Sequence, residues 1–387
     1  MRIVYFTIDN INDNVILAQT FPLLGRLGGL PGVEGVDLFA LQKTGDEGYH
    51  RLLPAAVRVR VGRNHGIRHP ITWLHLARLS LAAWACARPG TVLMGRNPVS
   101  LFCLGLAALR RRTRLILDYR GILSEEFALQ GKIVRRGRMH RFLRGLEGWA
   151  LRRADGVLCV SARLRRRTRG WRREAAGKLV VIPCCYDPHL TQTDDAAVER
   201  AREELGLDPT RDFVLVYAGS LSAWNRPEAV LAAHRGFRAI QERTRLLLLT
   251  GNLSEAQAMF GREAGVMIRS VPHSEIQHYL ALADLGLLLR DRSPVNRVAS
   301  PVKFAEYLAC GVPVLVSPGV GDCPEIVRRE RVGYVFGEAL PLDRVAAEIR
   351  ANRATLRVRC REVAARHFDG DRYLAVYREL VTGVAQP

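Results

Sequence analysis

Residues 300–322 read SPVKFAEYLACGVPVLVSPGVGD, and the fold prediction starts from this stretch. Phe304, Tyr307 and Leu308 recur at three- and four-residue spacing, which predicts a helix with one apolar face. The run 312–316, VPVLV, is short, apolar and rich in β-branched residues, which is typical of a buried strand in a parallel sheet. A helix followed by a turn and such a strand indicates an α/β domain.

Both ends of this helix carry local signals. Ser300 is predicted to cap the helix and Pro301 to be its first residue, because the missing N–H of proline costs nothing at that position. Gly311 is predicted to end the helix as the C′ glycine. Gly319 and Gly321 then open a loop after the strand.

Two charged residues, Lys303 and Glu306, interrupt this otherwise apolar unit. They lie three positions apart, so they share a face near the N-terminus of the helix, where free N–H groups and a partial positive charge favour phosphate. Lys303 adds a charge for an anion, and Glu306 could accept hydrogen bonds from a ribose diol. The alternative interpretation is an exposed ion pair at helical spacing, which contributes little to stability.

The stretch resembles the nucleotide-sugar-binding motif of the family-4 retaining glycosyltransferases. That motif has a Glu, seven residues, a second Glu and a turn of the A-C-G-x-P-V type. Glu306 matches the second Glu, and residues 309–314 match the turn. The first Glu would fall at Val298, so half of the motif is absent. The S-P-x-K-x-x-E-Y-L-A form of residues 300–309 is similar to one branch of the family.

The resemblance implies the GT-B fold, in which two Rossmann-like, doubly wound α/β domains face each other across a cleft. Residues 1–187 are predicted as the N-terminal, acceptor-side domain and residues 188–365 as the donor-side domain. Residues 366–387 are predicted as a C-terminal helix that could cross back to the first domain. The implied activity is transfer of a sugar from a nucleotide-sugar to a glycan, lipid-linked or small-molecule acceptor, with retention of configuration.

Polar loops follow the apolar strands of the first domain, at the edge where such sheets bind ligands. The first loop, residues 9–14, is rich in Asn and Asp where the family usually has a Gly pair, and Asn10 and Asn12 are expected on the acceptor side. Later loops contain Arg96 and Arg120. For both arginines the alternative is surface charge.

The sequence D-x-R-G…E-E, with Arg120, Glu125 and Glu126, resembles the family's loop at the domain cleft. Glu125 and Glu126 are expected on the acceptor side together with Arg96, and Arg120 is a candidate catalytic residue.

The second domain begins with an apolar strand and a Gly/Ser loop that contains Gly219 and Ser220. Small residues between a strand and a helix let phosphates approach the backbone closely. The family has an Arg or Lys after this loop that binds the donor diphosphate, and Arg226 is the nearest match. The remaining candidate donor-binding residues are Arg290, Asn296 and Ser300.

Arg226, Lys303 and helix N-termini are expected to neutralise the diphosphate charge, which is electrostatic stabilisation of a leaving group. No metal is expected, because no D-x-D motif stands at a strand end. No cofactor is expected beyond the nucleotide-sugar substrate, and no pair of carboxylates stands out as nucleophile and acid. A non-catalytic nucleotide-sugar or polyanion-binding protein remains the alternative, because Val298 and the first loop depart from the family pattern.

The formal net charge is +20, which attracts polyanions. The densest basic run, residues 132–178, contains apolar residues at helical spacing and predicts basic amphipathic helices suited to an anionic membrane surface. A helix packed on the core with a solvated basic face is the alternative. No nucleic-acid partner is expected, since this run offers few aromatic side chains for stacking, Trp149 and Trp171.

The eight cysteines are scattered and form no C-x-x-C pair, which favours a reduced, cytosolic chain. Neither a signal peptide nor a run of eighteen apolar residues is recognised. The expected location is cytoplasmic, with peripheral attachment to the inner face of the membrane as an extension of the charge argument.

Overall fold

The computed structural model describes the chain except for residues 14–15, 44–47, 67–68, 106, 110–112, 171–178, 338–339 and 384–387. It divides into two compact units, Met1–Pro183 with Gly370–Pro387 and Cys184–Asp369. The breaks fall after residues 183 and 369, where the sequence analysis placed them after 187 and 365. Trp171 and the basic residues between 172 and 178 lie outside the described residues.

The first unit contains a seven-stranded sheet in the order β3-β2-β1-β4-β5-β6-β7. Every pairing is parallel. Most of its strands are buried apolar runs, as expected for a parallel sheet covered on both faces, whereas the edge strand β3 is largely exposed. The strands are β1 (Arg2–Asn10), β2 (Gly35–Gln42), β3 (Val57–Arg63), β4 (Val92–Gly95), β5 (Arg114–Tyr119), β6 (Gly156–Cys159) and β7 (Leu179–Val181).

Helices connect these strands, and the last helix of the chain belongs to the same unit. They are α1 (Phe21–Gly28), α2 (Pro70–Cys86), α3 (Pro98–Cys103), α4 (Leu123–Leu129), α5 (Arg138–Arg153), α6 (Ala162–Arg169) and α16 (Leu374–Thr382). The α16 helix packs on α1 and β5. The Arg114 Nε donates to the Leu380 carbonyl at 2.8 Å, and Arg26 forms an ion pair with Asp371 at 2.7 Å.

The second unit contains a six-stranded, all-parallel sheet in the order β10-β9-β8-β11-β12-β13. The predicted α/β class with two parallel-sheet domains is therefore confirmed. The strands are β8 (Phe213–Ala218), β9 (Thr244–Leu249), β10 (Val266–Arg269), β11 (Leu285–Leu288), β12 (Val314–Val316) and β13 (Gly333–Val335).

Nine helices of the second unit appear among the residues that the structure describes. They are α7 (Asp195–Glu204), α8 (Pro227–Ile240), α9 (Leu253–Phe260), α10 (Ile276–Leu280), α11 (Pro294–Val298), α12 (Val302–Ala309), α13 (Cys323–Glu330), α14 (Leu342–Ala351) and α15 (Arg353–Phe368).

The stretch at 300–322 folds largely as predicted, and its helix face packs in the core. Phe304, Tyr307 and Leu308 are fully buried. Gly311 has φ +78°, and the Val312 N–H donates to the Tyr307 carbonyl at 2.8 Å, so the helix ends in a Schellman motif.

The predicted start of the helix is wrong. Pro301 is the N-cap itself, and the Ser300 hydroxyl does not cap the helix. It accepts instead from the Cys184 N–H at 3.0 Å, so a bond across 116 positions displaces the local one.

The eight cysteines are free thiols. Within the described ranges, none of the helices combines the length and the apolar character that a membrane span requires.

Candidate active site

In the second unit, the loop after β8 lies beside the N-terminal turn of α12. Gly219 has φ +142°, and a Cβ built on it would lie 4.0 Å from Lys303 Cε. A side chain at position 219 would therefore be strained by the backbone conformation, and the loop lies within van der Waals contact distance of the lysine. The structure thus brings together two predicted donor-site positions that are 84 residues apart in the sequence.

Three side chains fix the path of this loop. The Tyr217 hydroxyl and the Asn225 amide both donate to the Ser220 carbonyl, the latter at 2.9 Å. The Ala218 N–H donates to the Tyr307 hydroxyl oxygen at 2.8 Å. Helical spacing predicted Tyr307 as a core residue and gave no indication of this bond. The available signal was the hydroxyl itself, because a buried Tyr usually finds a hydrogen-bond partner.

Lys303 and Glu306 form an ion pair with 3.0 Å between Nζ and Oε2. The interpretation as an exposed pair is wrong, since the Glu306 side chain is 2% exposed and that of Lys303 is 25% exposed. Glu306 Oε2 accepts no hydrogen bond of good geometry from the described residues. A buried carboxylate therefore faces a partly exposed ammonium group at the end of the Gly219 loop.

Arg226 follows the same loop but turns away from it. It caps α8 in the left-handed conformation with φ +47° and forms an exposed ion pair with Glu228, with 2.9 Å between Nε and Oε1. Among the described residues it makes no hydrogen bond to Gly219 or Ser220.

Arg290, at the carboxyl end of β11, is a cation without a carboxylate partner among the described residues. Its Nη1 donates to Asn296 Oδ1 at 3.4 Å. Burial lowers the pKa of its guanidinium group, while neighbouring Tyr217 and Tyr307 act to raise it. The Arg290 Nε has no hydrogen-bond partner among the described residues, so this guanidinium group can still donate to an anion.

Asn296 and Ser300 are engaged in holding the fold. Asn296 is buried, and its amide donates to the Trp224 carbonyl at 3.2 Å and to Asp291. Val298, where the family motif has its first Glu, is also buried.

In the first unit, charged side chains converge at the carboxyl ends of the neighbouring strands β1, β4 and β5. Arg96 is only 5% exposed, so it is not a surface charge. Its Nε lies 2.9 Å from Asp9 Oδ2, and its Nη1 donates to Thr20 Oγ1 at 2.8 Å.

Arg120 is held by a buried carboxylate in the same region. Asp118 accepts from the Arg120 Nε at 2.8 Å and from the Tyr5 hydroxyl at 2.6 Å. Burial, followed by the Asp118 charge, raises the pKa of Tyr5. The Arg120 side chain is 14% exposed, so it too differs from the surface-charge alternative. Sequence reasoning missed Asp9, Thr20 and Asp118 as partners of these arginines, and Tyr5 as the second partner of Asp118.

Glu125 and Glu126 are neighbours in sequence with different surroundings. Glu125 is buried against Arg135 Nε at 3.0 Å and His140 Nε2 at 3.5 Å. Glu126 packs on Gly121, and burial together with the Asp9 charge raises its pKa to about 7, an effect that Arg96 partly offsets. Glu126 therefore belongs to the Arg96–Asp9 cluster, whereas Glu125 links α4 to α5.

The two asparagines of the first loop differ in exposure. Asn10 is buried, and its Oδ1 accepts from the Lys43 N–H at 2.9 Å. Asn12 is half-buried on the loop that follows β1. Asn10 thus fixes the loop on β2, and Asn12 is the more accessible of the two.

Two parallel α/β units with anion-binding and polar side chains at the carboxyl ends of their strands define a two-domain α/β protein of the GT-B class. The family model "Glycosyltransferase Family 4" matches residues 35–190, and "Glycosyl transferases group 1" matches residues 212–351. Between them the two matches span well over half of the chain. The chain belongs to the glycosyltransferase family that carries these two domains, which confirms the resemblance.

Solved structures of the same fold match nearly the whole chain. Anabaena HepE in complex with UDP-glucose matches with a TM-score of 0.71 and 18% identity, over 99% of this chain and 100% of that one. Sucrose-phosphate synthase from Thermosynechococcus elongatus matches with a TM-score of 0.73 and 18% identity, with the same coverage.

A curated relative, the putative teichuronic acid biosynthesis glycosyltransferase TuaH of Bacillus subtilis (strain 168), is 24% identical over 215 residues. The match covers 51% of this chain and about half of the length of that relative, 48%.

Proposed function

We propose that this protein is a glycosyltransferase that moves a sugar from a nucleotide-sugar to an acceptor. The observation that carries the proposal is the contact between the Gly219 loop and Lys303, with the unpaired Arg290 guanidinium at the end of the adjacent strand β11. A glycine that leaves the loop backbone open, together with two cationic side chains, suits the binding of a diphosphate. The UDP-glucose complex of the similar HepE structure supports the same choice.

The donor residues have distinct proposed roles. Lys303 and Arg290 neutralise the diphosphate as it leaves, so their stabilisation grows with the charge that develops in the transition state. Glu306 accepts hydrogen bonds from the ribose. Arg226 is a weaker candidate than its sequence position suggested, because Glu228 already pairs with it.

The acceptor is proposed to bind the first unit, at the Arg96–Arg120 edge of the sheet. Glu126 is the acceptor-side carboxyl group, since Glu125 already forms an ion pair with Arg135. Asn12 contributes from the first loop, and Arg120 is oriented for catalysis by Asp118.

The proposal also covers the stereochemistry of the transfer, the acceptor and the cellular location. Transfer retains the anomeric configuration and uses no metal, because the cationic side chains of the second unit take over charge neutralisation. The acceptor is a glycan or a lipid-linked saccharide in polysaccharide biosynthesis, as the name of the TuaH relative suggests. Eight free thiols favour a cytoplasmic site of action.

A nucleotide-sugar-binding protein without transferase activity is the second candidate. It is favoured by Val298, a buried apolar residue where the family motif has a Glu. The two candidates predict the same ligand and differ in turnover.

A thermal-shift screen against UDP, GDP, TDP and their sugars tests the donor assignment. A ligand at a hundred times its dissociation constant adds about 2.7 kcal/mol of stability. One nucleotide should raise the melting temperature. The corresponding nucleotide-sugar should then be consumed both with and without EDTA. NMR of the product reports the anomeric configuration. Binding without turnover would support the second candidate, and no shift with any nucleotide would contradict both.

Tyr307→Phe is expected to lower kcat/KM roughly five- to tenfold, because it removes the oxygen that accepts a hydrogen bond from the Ala218 N–H. Such a hydrogen bond contributes about 1 kcal/mol. The ring remains packed on Gly286. Steady-state kinetics with the donor measure the effect. Tyr279→Phe is the matched control, since it removes a hydroxyl that donates to Glu204 on the surface. Equal kinetics in both variants would show that the Tyr307 hydroxyl does not order the loop.

A further inference from the structure

The helix α5 presents apolar side chains on two different faces. Its inward face, with Leu143, Leu146, Ala150 and Leu151, is buried in the first unit. Core packing therefore explains these four residues and leaves the outward face without a role.

The outward face carries a stripe at alternating four- and three-residue spacing, so its members line up along the helix. The stripe consists of Arg138, Phe142, Gly145, Trp149 and Arg152. Phe142 is 60% exposed, and a Cβ on Gly145 would meet no atom of the described residues within 4 Å. Phe102 of α3, 58% exposed, meets the Trp149 ring edge-on with 5.7 Å between centroids. Aromatic rings thus occupy the middle of the stripe and arginines its two ends.

All the charged residues around the start of α5 are basic. Residues 131–145 contain six lysines and arginines and no Asp or Glu. Arg136, Arg138 and Arg141 form no ion pair with a described residue. Val134 and Met139 are exposed among them. Apolar groups beside these three arginines complement a surface with an apolar interior and anionic head groups.

We propose that α5, with Val134 and Phe102 beside it, is a docking surface for an anionic lipid membrane. The rings of Phe142 and Trp149 enter the interface, and the arginines at both ends of the stripe contact lipid phosphates. Nucleic acid would satisfy the arginines but would leave the aliphatic Val134 and Met139 without a partner. A second copy would place like charges against each other. The inference goes beyond the proposed function, because it requires no glycosyl transfer.

Sedimentation of the full-length chain with vesicles tests the proposal without an activity assay. Vesicles of phosphatidylcholine alone are compared with vesicles containing about 30% phosphatidylglycerol, at about 0.1 M and 0.5 M NaCl. The wild-type chain should bind the anionic vesicles and be weakened, but not fully released, by salt, because insertion of the rings is insensitive to screening.

Two pairs of variants separate the apolar part from the charged part. Met139→Ser/Phe142→Ser should weaken binding at least tenfold at constant charge, whereas Leu253→Ser/Met259→Ser, which alters exposed apolar residues of α9, should not. Arg138→Gln/Arg141→Gln should weaken binding and flatten its salt dependence more than the exposed pair Arg262→Gln/Arg328→Gln does. Circular dichroism checks the fold of each variant.

Several results would overturn the proposal. These are absence of binding to anionic vesicles, equal binding to neutral ones, and equal losses in test and control variants. The chain could instead bind a DNA or RNA duplex saturably, or form a dimer in sedimentation equilibrium. If Met139→Ser/Phe142→Ser abolishes either of these and leaves vesicle binding unchanged, the surface belongs to that other partner.

Discussion

Lys303→Ala is expected to lower kcat by about ten- to 150-fold, the equivalent of one hydrogen bond to a charged group. It should also destabilise the fold by about 3 kcal/mol or more, because it leaves the Glu306 carboxylate buried and unpaired. A double variant, Lys303→Ala/Glu306→Gln, separates the two effects. It removes the orphaned charge, so the melting temperature should recover while kcat stays low.

Glu306→Ala should behave differently, because the ribose hydroxyls do not change during the reaction. The loss is then one of uniform binding, with a raised donor KM, weaker binding of the free nucleotide and little change in kcat. Steady-state kinetics and nucleotide titrations measure both variants. If the double variant recovers both kcat and stability, Lys303 stabilises the fold by pairing with Glu306 and does not act in catalysis.

Glu126→Gln is expected to stabilise the protein above neutral pH. The folded-state pKa of Glu126 is about 7, above the ordinary value of a glutamate. The unfolded chain therefore loses this proton first, and the stability contributed by the protonated group disappears as the pH rises through 7. The variant should be equally stable near pH 4 and more stable near pH 8 by about 3 kcal/mol.

Denaturant unfolding from pH 4 to pH 8 measures this difference, with Glu203→Gln on α7 as a surface control. If ionised Glu126 holds the acceptor, kcat/KM for the acceptor should also rise through about pH 7 in the wild type and stay low and flat in Glu126→Gln. A stability difference that does not change with pH would contradict the proposed environment of Glu126.

Features governed by local chemistry were predictable from the sequence. The face formed by Phe304, Tyr307 and Leu308 follows from helical spacing, and the end of that helix follows from Gly311, since glycine adopts a positive φ without strain. The family resemblance then predicted that Lys303, Glu306 and the Gly219 loop serve the same nucleotide-sugar. Lys303 and Gly219 do lie close together.

Features that depend on distant parts of the chain were not predictable. Ser300 follows the local rule for a cap, but a long-range donor at Cys184 takes its hydroxyl. Arg96 resembles one of many surface arginines until Asp9, 87 positions away, is seen beside it. Glu125 and Glu126 are indistinguishable in a pattern, and only the packing of α4 separates a paired carboxylate from one with a raised pKa.

The contacts of α16 have a consequence for the order of events during synthesis. The second unit is one uninterrupted segment, Cys184–Asp369, and can fold as soon as it has left the ribosome. The first sheet leaves the ribosome earlier but gains its contacts with Leu380 only at the end of synthesis. Leu380 packs on Gly156, and its carbonyl accepts a hydrogen bond from Arg114. The domain that is translated first is thus completed last, and a released chain that ends at residue 370 would contain the whole second unit but lack the α16 helix of the first.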